Sequence, residues 1–237
     1  MTAPFTWAQH DVHRQILKRE LSKAVAEGVH GVLLCGSVAR GTASPASDLD
    51  LQLSWPEARP FTVSESQGVL IERHGRTLAQ ESELIERADL HLYAWTEGRI
   101  LHDPGGELAR LQARAQTMLA DYRTPEWEAR ALRHWLVSSL SKLDSLQGGL
   151  QAAFLVQTTL WKLAEGLCAV NNRPSPPFTL MWEMLPTLPE QPHHWLNTVL
   201  LGQAEDRLNT FRRVAVWLVE RLDSPRLKRI IHPGGNP

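Results

Sequence analysis

The sequence predicts an α+β fold, in which a small sheet with flanking helices over residues 1–105 is followed by an all-α helical bundle over residues 106–237. Three observations support this division. Short apolar or alternating runs, which are typical of strands, occur only in the first part. Apolar residues at helical spacing dominate the second part. The turn-forming sequence Asp-Pro-Gly-Gly at residues 103–106 lies between them. We expect a mixed or antiparallel sheet with its helices on one face.

The elements of the first part follow from its periodicity. An amphipathic helix is expected at residues 7–27, because Gly28 ends the apolar pattern. Residues 54–67 are polar and contain proline, so they are expected to form a connection. Residues 88–95 (ADLHLYAW) alternate like a strand, but they also suit the end of a preceding helix. The other expected elements are strands at 31–35, 47–53, 69–74 and 99–103 and a helix at 77–87.

The second part is predicted to be helical throughout. Its apolar residues recur every three or four positions, and stretches rich in glycine or proline separate the helical segments. Helices are expected at about 107–120, 132–146, 150–168, 178–185, 193–201 and 208–222.

Charge and composition argue against several classes of protein. The 25 Lys and Arg residues against 26 Asp and Glu residues give a formal net charge of -1, so the overall charge does not favour a long nucleic acid or an anionic membrane as partner. Cys35 and Cys168 lie in apolar runs and are expected to be buried thiols. No apolar run approaches the roughly 20 residues of a membrane helix, and the histidines lack zinc-ligand spacing. We expect a cytoplasmic protein.

Two aspartates give the first indication of chemistry. Asp48 and Asp50 flank Leu49 in the second predicted strand, so their carboxylates project from one face, roughly 7 Å apart. Two carboxylates so close repel each other unless a cation lies between them. Mg²⁺ is the natural candidate, because it binds one or two carboxylates together with substrate phosphates. A solvent-facing pair on an edge strand is the alternative.

The turn after the first predicted strand offers a complementary site for an anion. Gly36 lets the backbone approach a phosphate without a Cβ in the way, and the Ser37 hydroxyl adds a hydrogen-bond donor. If residues 38–41 open a helix, their free N–H groups also favour an anion. Arg40 then either contacts the phosphates or pairs with the aspartates.

The run GSVARGTASPASDLDL, residues 36–51, resembles the signature of the DNA polymerase β nucleotidyltransferase superfamily. That signature is Gly-Ser, a short stretch of variable residues, and then Asp-x-Asp or Asp-x-Glu among apolar residues. The form found here is especially similar to the minimal nucleotidyltransferases of prokaryotes. The resemblance implies a nucleotidyltransferase domain over residues 1–105, with a nucleoside triphosphate site and a metal site.

The superfamily also implies a third carboxylate, from a later strand, that orients or deprotonates the attacking hydroxyl. Glu72, in the third predicted strand, is our first choice, and Asp89 is the alternative. The resulting assignment has two groups of residues. The catalytic and metal-binding residues are Asp48, Asp50 and Glu72, and the nucleotide-binding residues are Gly36, Ser37, Arg40 and Ser47.

The resemblance implies an Mg²⁺-dependent enzyme that transfers a nucleoside monophosphate from a triphosphate, with ATP as the expected donor, to a hydroxyl of a small molecule or a protein. The helical part is similar to the bundle that accompanies kanamycin-type nucleotidyltransferases, and it is expected to bind the acceptor. The alternative is a catalytically inactive nucleotide-binding or regulatory module with the same fold. The sequence leaves open the acceptor, the nucleobase and the oligomeric state, including a homodimer.

Overall fold

The chain was analysed as a computed structural model, which describes residues 5–146 and 149–223. It divides into two compact units, Met1–Asp121 and Tyr122–Pro237. The expected domain boundary at residue 105 stays a prediction, and the helix that follows it falls within the first unit.

The first unit contains helices and strands in the order that the sequence predicts, with two exceptions described below. Its elements are α1 (Asp11–Ala26), β1 (Gly31–Cys35), α2 (Gly36–Arg40), β2 (Leu49–Ser54), β3 (Arg59–Ser66), β4 (Val69–Arg76), α3 (Leu78–Glu86), α4 (His91–Glu97), β5 (Arg99–His102) and α5 (Glu107–Asp121).

The strands form a mixed sheet. Over the described residues it has five strands in the order β3-β4-β2-β1-β5. The central strand β2 pairs antiparallel with β1 and parallel with β4, while the β3–β4 and β1–β5 pairs are antiparallel. The α+β fold class is confirmed.

Helices cover both faces of this sheet, so the expectation that they lie on one face is wrong. Ile16 and Leu17 of α1 pack with Val32 of β1 on one face. Leu33 of the same strand packs with Trp95 of α4 and with α5 on the other. The reason is visible in β1, all five residues of which are buried, because a strand buried on both sides needs a layer of helices on each side.

The expected connection at residues 54–67 is also wrong, because it contains strand β3. This strand lies at the edge of the sheet, and nearly all of its residues are exposed, so it lacks the apolar alternation of a half-buried strand. Pro60 is tolerated there because an edge strand leaves part of its backbone unpaired. The register with β4 shifts between Arg59 and Thr62, beside this proline.

For residues 88–95, the strand alternative is wrong. The segment forms a turn and then the separate helix α4. In the turn before this helix, the Asp89 carboxylate accepts a hydrogen bond at 2.9 Å from the backbone N–H of His91, the first residue of α4. Leu92 and Trp95 are buried in the layer against the sheet. Burial against the sheet, rather than the alternation of apolar residues in the sequence, therefore determines that this segment is helical.

The second unit is helical, as expected. Its helices are α6 (Glu126–Ser145), α7 (Gly149–Val170), α8 (Phe178–Met184), α9 (Trp195–Leu201) and α10 (Ala204–Leu222), with a 3₁₀ turn at Leu185–Thr187. Leu136, Leu163 and Phe211, from α6, α7 and α10, lie in one fully buried core. No helix among the described residues has both the length and the apolar character needed to cross a bilayer.

Candidate active site

The two aspartates lie where β2 begins. Asp48 precedes the strand and Asp50 is its second residue, while Leu49 and Leu51 between and beyond them are buried in the core beneath α1. The alternation of strand residues therefore places the leucines on one face of the sheet and Asp50 on the other. Asp50 therefore belongs to the face that α3, α4 and α5 partly cover, and Asp48 is an exposed residue just before the strand, near enough to raise the pKa of Asp50.

Gly36 brings the backbone of the following turn against Asp50. The pairing of β1 with β2 sets Cys35 opposite Asp50, so the next residue, Gly36, begins α2 directly beside that carboxylate. Gly36 has φ +72°, and a Cβ at this position would lie 2.1 Å from Oδ2 of Asp50. Only glycine therefore fits both the backbone conformation and the close approach.

Glu72 lies on the strand next to Asp50. β2 and β4 run parallel with Asp50 opposite Glu72, so both side chains are on the same face of the sheet. Asp89, the alternative third carboxylate, lies in the turn before α4 rather than on a strand. Its Oδ1 is 2.9 Å from the backbone nitrogen of His91 and 2.7 Å from Nδ1 of the same residue. The structure thus brings Glu72, and not Asp89, into register with Asp50.

The carboxylates form a patch of unbalanced negative charge. Burial is the largest cause that raises the pKa of Asp50 from 3.8 to about 6, and the charges of Asp48 and Glu72 add to it. The Arg40 guanidinium opposes this rise in pKa, but it also contacts Glu97, at 3.6 Å. Holding Asp50 ionised at neutral pH therefore costs free energy that a bound cation would recover.

The two serines of the motif occupy different environments. Ser37 is the second residue of α2, and its carbonyl accepts a hydrogen bond from the backbone N–H of Thr42 at 3.0 Å. Ser47 belongs to a turn, where its hydroxyl accepts a hydrogen bond from the backbone N–H of Ser44 at 2.9 Å. The ring Nε2–H of His13 donates to the Ser47 carbonyl at 2.9 Å and so holds the residue that precedes Asp48.

Two residues near the site were not assigned from the sequence. His13 is fully buried in α1, where nothing in a helical pattern distinguishes it from a solvated residue. His74 follows Glu72 by two residues on β4, and its Nε2 lies 4.0 Å from Oε2 of Glu72. The period of the strand places His74 on the face of Glu72, but only the structure shows that the Phe61 ring lies against it, at 4.7 Å between ring centroids.

The chemistry of these donors suits a divalent cation. Carboxylate oxygens are the ligands that Mg²⁺ prefers, and the pKa of Asp50 is raised by burial and then by the like charges of Asp48 and Glu72, all of which a bound cation would oppose. Within residues 5–146 and 149–223, no group of three Asp, Glu, His or Cys side chains is arranged so that it could hold a metal ion by itself. Mg²⁺ commonly takes one or two carboxylates and completes its shell with water and substrate phosphates, so the donor set fits a cation that binds together with a nucleotide.

A family model built from known proteins matches the part of the chain that contains these residues. Residues 13–102 match the family model of the nucleotidyltransferase domain, and this match spans β1, the Gly-Ser turn, both aspartates and Glu72. Residues 13–102 are therefore similar to the nucleotidyltransferase domain family, in agreement with the resemblance of the motif. A domain of this family supports the transfer of a nucleoside monophosphate in general.

Among solved structures, the chain is similar to a nucleotidyltransferase-like protein from Exiguobacterium sibiricum 255-15. The two are 14% identical in sequence, with a TM-score of 0.44, and the similarity covers 92% of this chain and 77% of that one. The comparison with curated proteins gives no significant match.

Proposed function

We propose that the protein is a metal-dependent nucleotidyltransferase that moves the nucleoside monophosphate of a triphosphate, with ATP as the donor, to a hydroxyl group of a small molecule or a protein, with release of pyrophosphate. One observation carries this proposal. The Asp50 carboxylate lies against Gly36, the start of the Gly-Ser turn, and beside the like charges of Asp48 and Glu72. The proposed phosphate-binding turn and the carboxylates therefore meet at one place on the sheet.

The turn is assigned to the triphosphate. Gly36 leaves the backbone accessible because it has no Cβ, and Ser37 offers a hydroxyl donor beside it. Arg40 adds a positive charge close enough to Asp50 to oppose part of the rise in the pKa of that carboxyl. Ser47 fixes the turn that leads into Asp48, so it is assigned a role in shaping this site through its hydrogen bonds with Ser44.

The carboxylates are assigned to the metal and to the acceptor. Asp48, Asp50 and Glu72 would hold Mg²⁺, which supplies a positive charge to the phosphates and to the displaced pyrophosphate when it is bound. Glu72 faces the site from the neighbouring strand, and an ionised carboxylate there accepts a proton from an approaching hydroxyl. The chain thus contributes positioning and charge, with no covalent intermediate.

The test uses binding and turnover together. Calorimetry with ATP, GTP, CTP and UTP, each with and without Mg²⁺, gives the affinity and the preferred base. Release of pyrophosphate from the preferred triphosphate, with water or glycerol as a simple hydroxyl acceptor, reports turnover. Asp48→Asn and Asp50→Asn are expected to abolish the Mg²⁺-dependent part of binding and all turnover. Glu57→Gln, an exposed carboxylate in the loop after β2, is the control that should change neither.

The outcomes separate the two classes of function. Mg²⁺-dependent binding and turnover, both lost in the aspartate variants, would support an enzyme. Binding without turnover under any acceptor would favour the inactive nucleotide-binding or regulatory module. Turnover that persists in Asp50→Asn would overturn the assignment of the site. The acceptor, and the role of the helical unit in binding it, remain predictions from the family resemblance.

A further inference from the structure

A cavity of about 220 Å³ lies on the face of the sheet opposite Asp50. It opens between α1 and the strands β2, β3 and β4. Its inner wall is apolar and buried, and includes Leu17 and Ala24 of α1, Leu51 and Leu53 of β2, and the ring of Trp55. This volume is smaller than the roughly 300–1,000 Å³ of sites for drug-sized ligands, but it exceeds the ~150 Å³ of a dry apolar cavity that holds benzene. It therefore suits one aromatic ring or a short alkyl chain.

Charged side chains surround the mouth of this cavity. The lining contains the cations Lys23, Arg59 and Arg73 and the carboxylates Glu20 and Glu27. Both carboxylates are already paired. Glu20, which is only 7% exposed, accepts hydrogen bonds from Nε and Nη2 of Arg73 at 2.9 and 2.6 Å. Glu27 accepts one from Arg59 at 2.7 Å.

Lys23 is the third cation of the lining, beside Arg59 and Arg73, which pair with the two carboxylates. Its ammonium group has no carboxylate within ion-pair distance among the residues that the structure describes, and it lies on the helix turn between the two paired glutamates. Arg59 closes the neighbouring side by stacking over Trp55, with its guanidinium carbon 3.4 Å from the ring centroid. The cavity therefore combines an apolar interior with a mouth that carries an excess of one positive charge.

We propose that this cavity binds a small amphipathic monocarboxylate, with an aromatic or short aliphatic body against Leu51, Leu53 and Trp55 and its carboxylate beside Lys23. Burial of the apolar body supplies most of the affinity, because none of the buried side-chain polar atoms that lack a partner in the described part of the chain belongs to the cavity lining. The carboxylate selects the orientation, because the apolar wall excludes a charge and the mouth attracts one.

The ligand would touch the strand that carries the candidate active site. Leu51 and Leu53 face the cavity from β2, and they alternate with Asp50, which projects from the other face. The proposal does not rest on nucleotidyl transfer, since the binding measurement needs neither nucleotide nor metal.

The experiment titrates the full chain, with ¹³C-labelled leucine and alanine methyl groups, with 3-phenylpropanoate and with its neutral analogue 3-phenylpropanol. Shifts of the methyl signals of Leu51, Leu53 and Ala24 report occupancy. Lys23→Gln is expected to weaken the carboxylate about 2- to 5-fold, the effect of one exposed ion pair, and to leave the alcohol unchanged. Lys18→Gln removes an exposed lysine of the same helix outside the cavity, and it should weaken neither probe.

Variants that fill the cavity with a larger side chain provide a second test. Ala24→Phe places a ring inside the apolar wall and should abolish binding of both probes, and Leu21→Phe serves the same purpose if that variant does not fold. Absence of methyl shifts in the wild-type protein up to the solubility of the probe, or binding that persists in the filled variants, would overturn the site. Equal binding of acid and alcohol, indifferent to Lys23→Gln, would overturn the assignment of an anionic ligand.

Discussion

The Cα of Gly36 lies so close to the Asp50 carboxylate that a methyl group in place of its hydrogen would be 2.1 Å from Oδ2. This approach joins the two halves of the sequence motif, since Gly36 begins the turn after β1 and Asp50 lies in β2. It depends on the antiparallel register that pairs Cys35 with Asp50. The glycine is therefore required by the position of a carboxylate as well as by its own backbone conformation.

A comparison of Gly36→Ala with Gly28→Ala distinguishes an effect on nucleotide binding from an effect on stability. Both glycines have positive φ, +72° and +84°, so each alanine should cost about 1–2 kcal/mol of unfolding free energy through backbone strain. A Cβ at Gly28 meets nothing within 4 Å, whereas a Cβ at Gly36 must displace Asp50. Urea denaturation should show similar losses of stability, while calorimetry should show loss of Mg²⁺-nucleotide binding only in Gly36→Ala. Full binding by Gly36→Ala would contradict the assignment of Asp50 to the metal.

The raised pKa of Asp50 predicts how stability depends on pH in metal-free buffer. The folded protein holds a proton on this carboxyl up to about pH 6, whereas the unfolded chain releases it near its ordinary pKa of 3.8. The folded state therefore binds more protons between these values, and the unfolding free energy falls as pH rises through this range. After allowance for solvent screening, Asp50→Asn should be more stable than the wild type by about 1–2 kcal/mol above pH 7.

At about pH 3.5, below both pKa values, Asp50→Asn and the wild type should have nearly equal stability, because the wild-type carboxyl is then neutral in the folded state and mostly neutral in the unfolded state. Urea denaturation in EDTA at the two pH values measures this difference, and Glu57→Gln is the matched exposed control. A variant that is less stable than the wild type at neutral pH would show that the ionised Asp50 is compensated within the folded chain.

Glu20 of α1 and Glu27, which follows the last residue of that helix, offer a direct comparison of a buried and an exposed ion pair. Glu20 is 7% exposed and pairs with Arg73, while Glu27 is 40% exposed and pairs with Arg59. Glu20→Gln should lower the unfolding free energy by about 2–4 kcal/mol, because it leaves a largely buried guanidinium without its counter-charge. Glu27→Gln should cost under about 1 kcal/mol. Equal losses in urea denaturation would mean that Glu20 and Arg73 are hydrated as well as the exposed pair.

The parts of the fold that were predictable from sequence are those in which burial produces a recognisable pattern of apolar residues along the chain. β1 is a continuous apolar run and β2 alternates strictly, so their bounds follow closely from the residues. β3 leaves no such period, because an edge strand exposed along nearly its whole length buries no regular face. Helix α4 has the opposite problem. Residues 88–95 alternate in a way that also suits a strand, whereas Leu92 and Trp95, which are buried in the structure, are three positions apart, as in a helix.

The candidate site was predictable as a set of residue types, but not as a set of neighbours. The motif identifies Gly36, Asp48 and Asp50 because phosphate and metal chemistry restrict which side chains suit such a site. The relation between Glu72 and Asp50 needs the order of the sheet, in which β4 lies beside β2 although β3 intervenes in the chain. Sequence period alone places Glu72 on a face, and only the parallel register places it opposite Asp50.

That register leads to the last prediction, which concerns the third carboxylate. Glu72→Gln keeps the size of the side chain but removes the carboxylate that would take the proton of the attacking hydroxyl. Pyrophosphate release should therefore fall about 10²- to 10³-fold. Its Mg²⁺-nucleotide affinity should change much less, because Asp48 and Asp50 remain. Asp89→Asn is the matched alternative. Its amide oxygen can still accept the hydrogen bond from His91, so both turnover and stability should stay close to wild type.

Initial rates of pyrophosphate release, measured beside calorimetric affinities for both variants, decide between the two carboxylates. A loss of turnover in Asp89→Asn with normal rates in Glu72→Gln would reverse the assignment, and would require the turn before α4 to move toward β2 when nucleotide binds. A parallel loss of affinity and rate in Glu72→Gln would instead make Glu72 chiefly a metal ligand, because removal of a proton acceptor alone leaves the bound ground state intact.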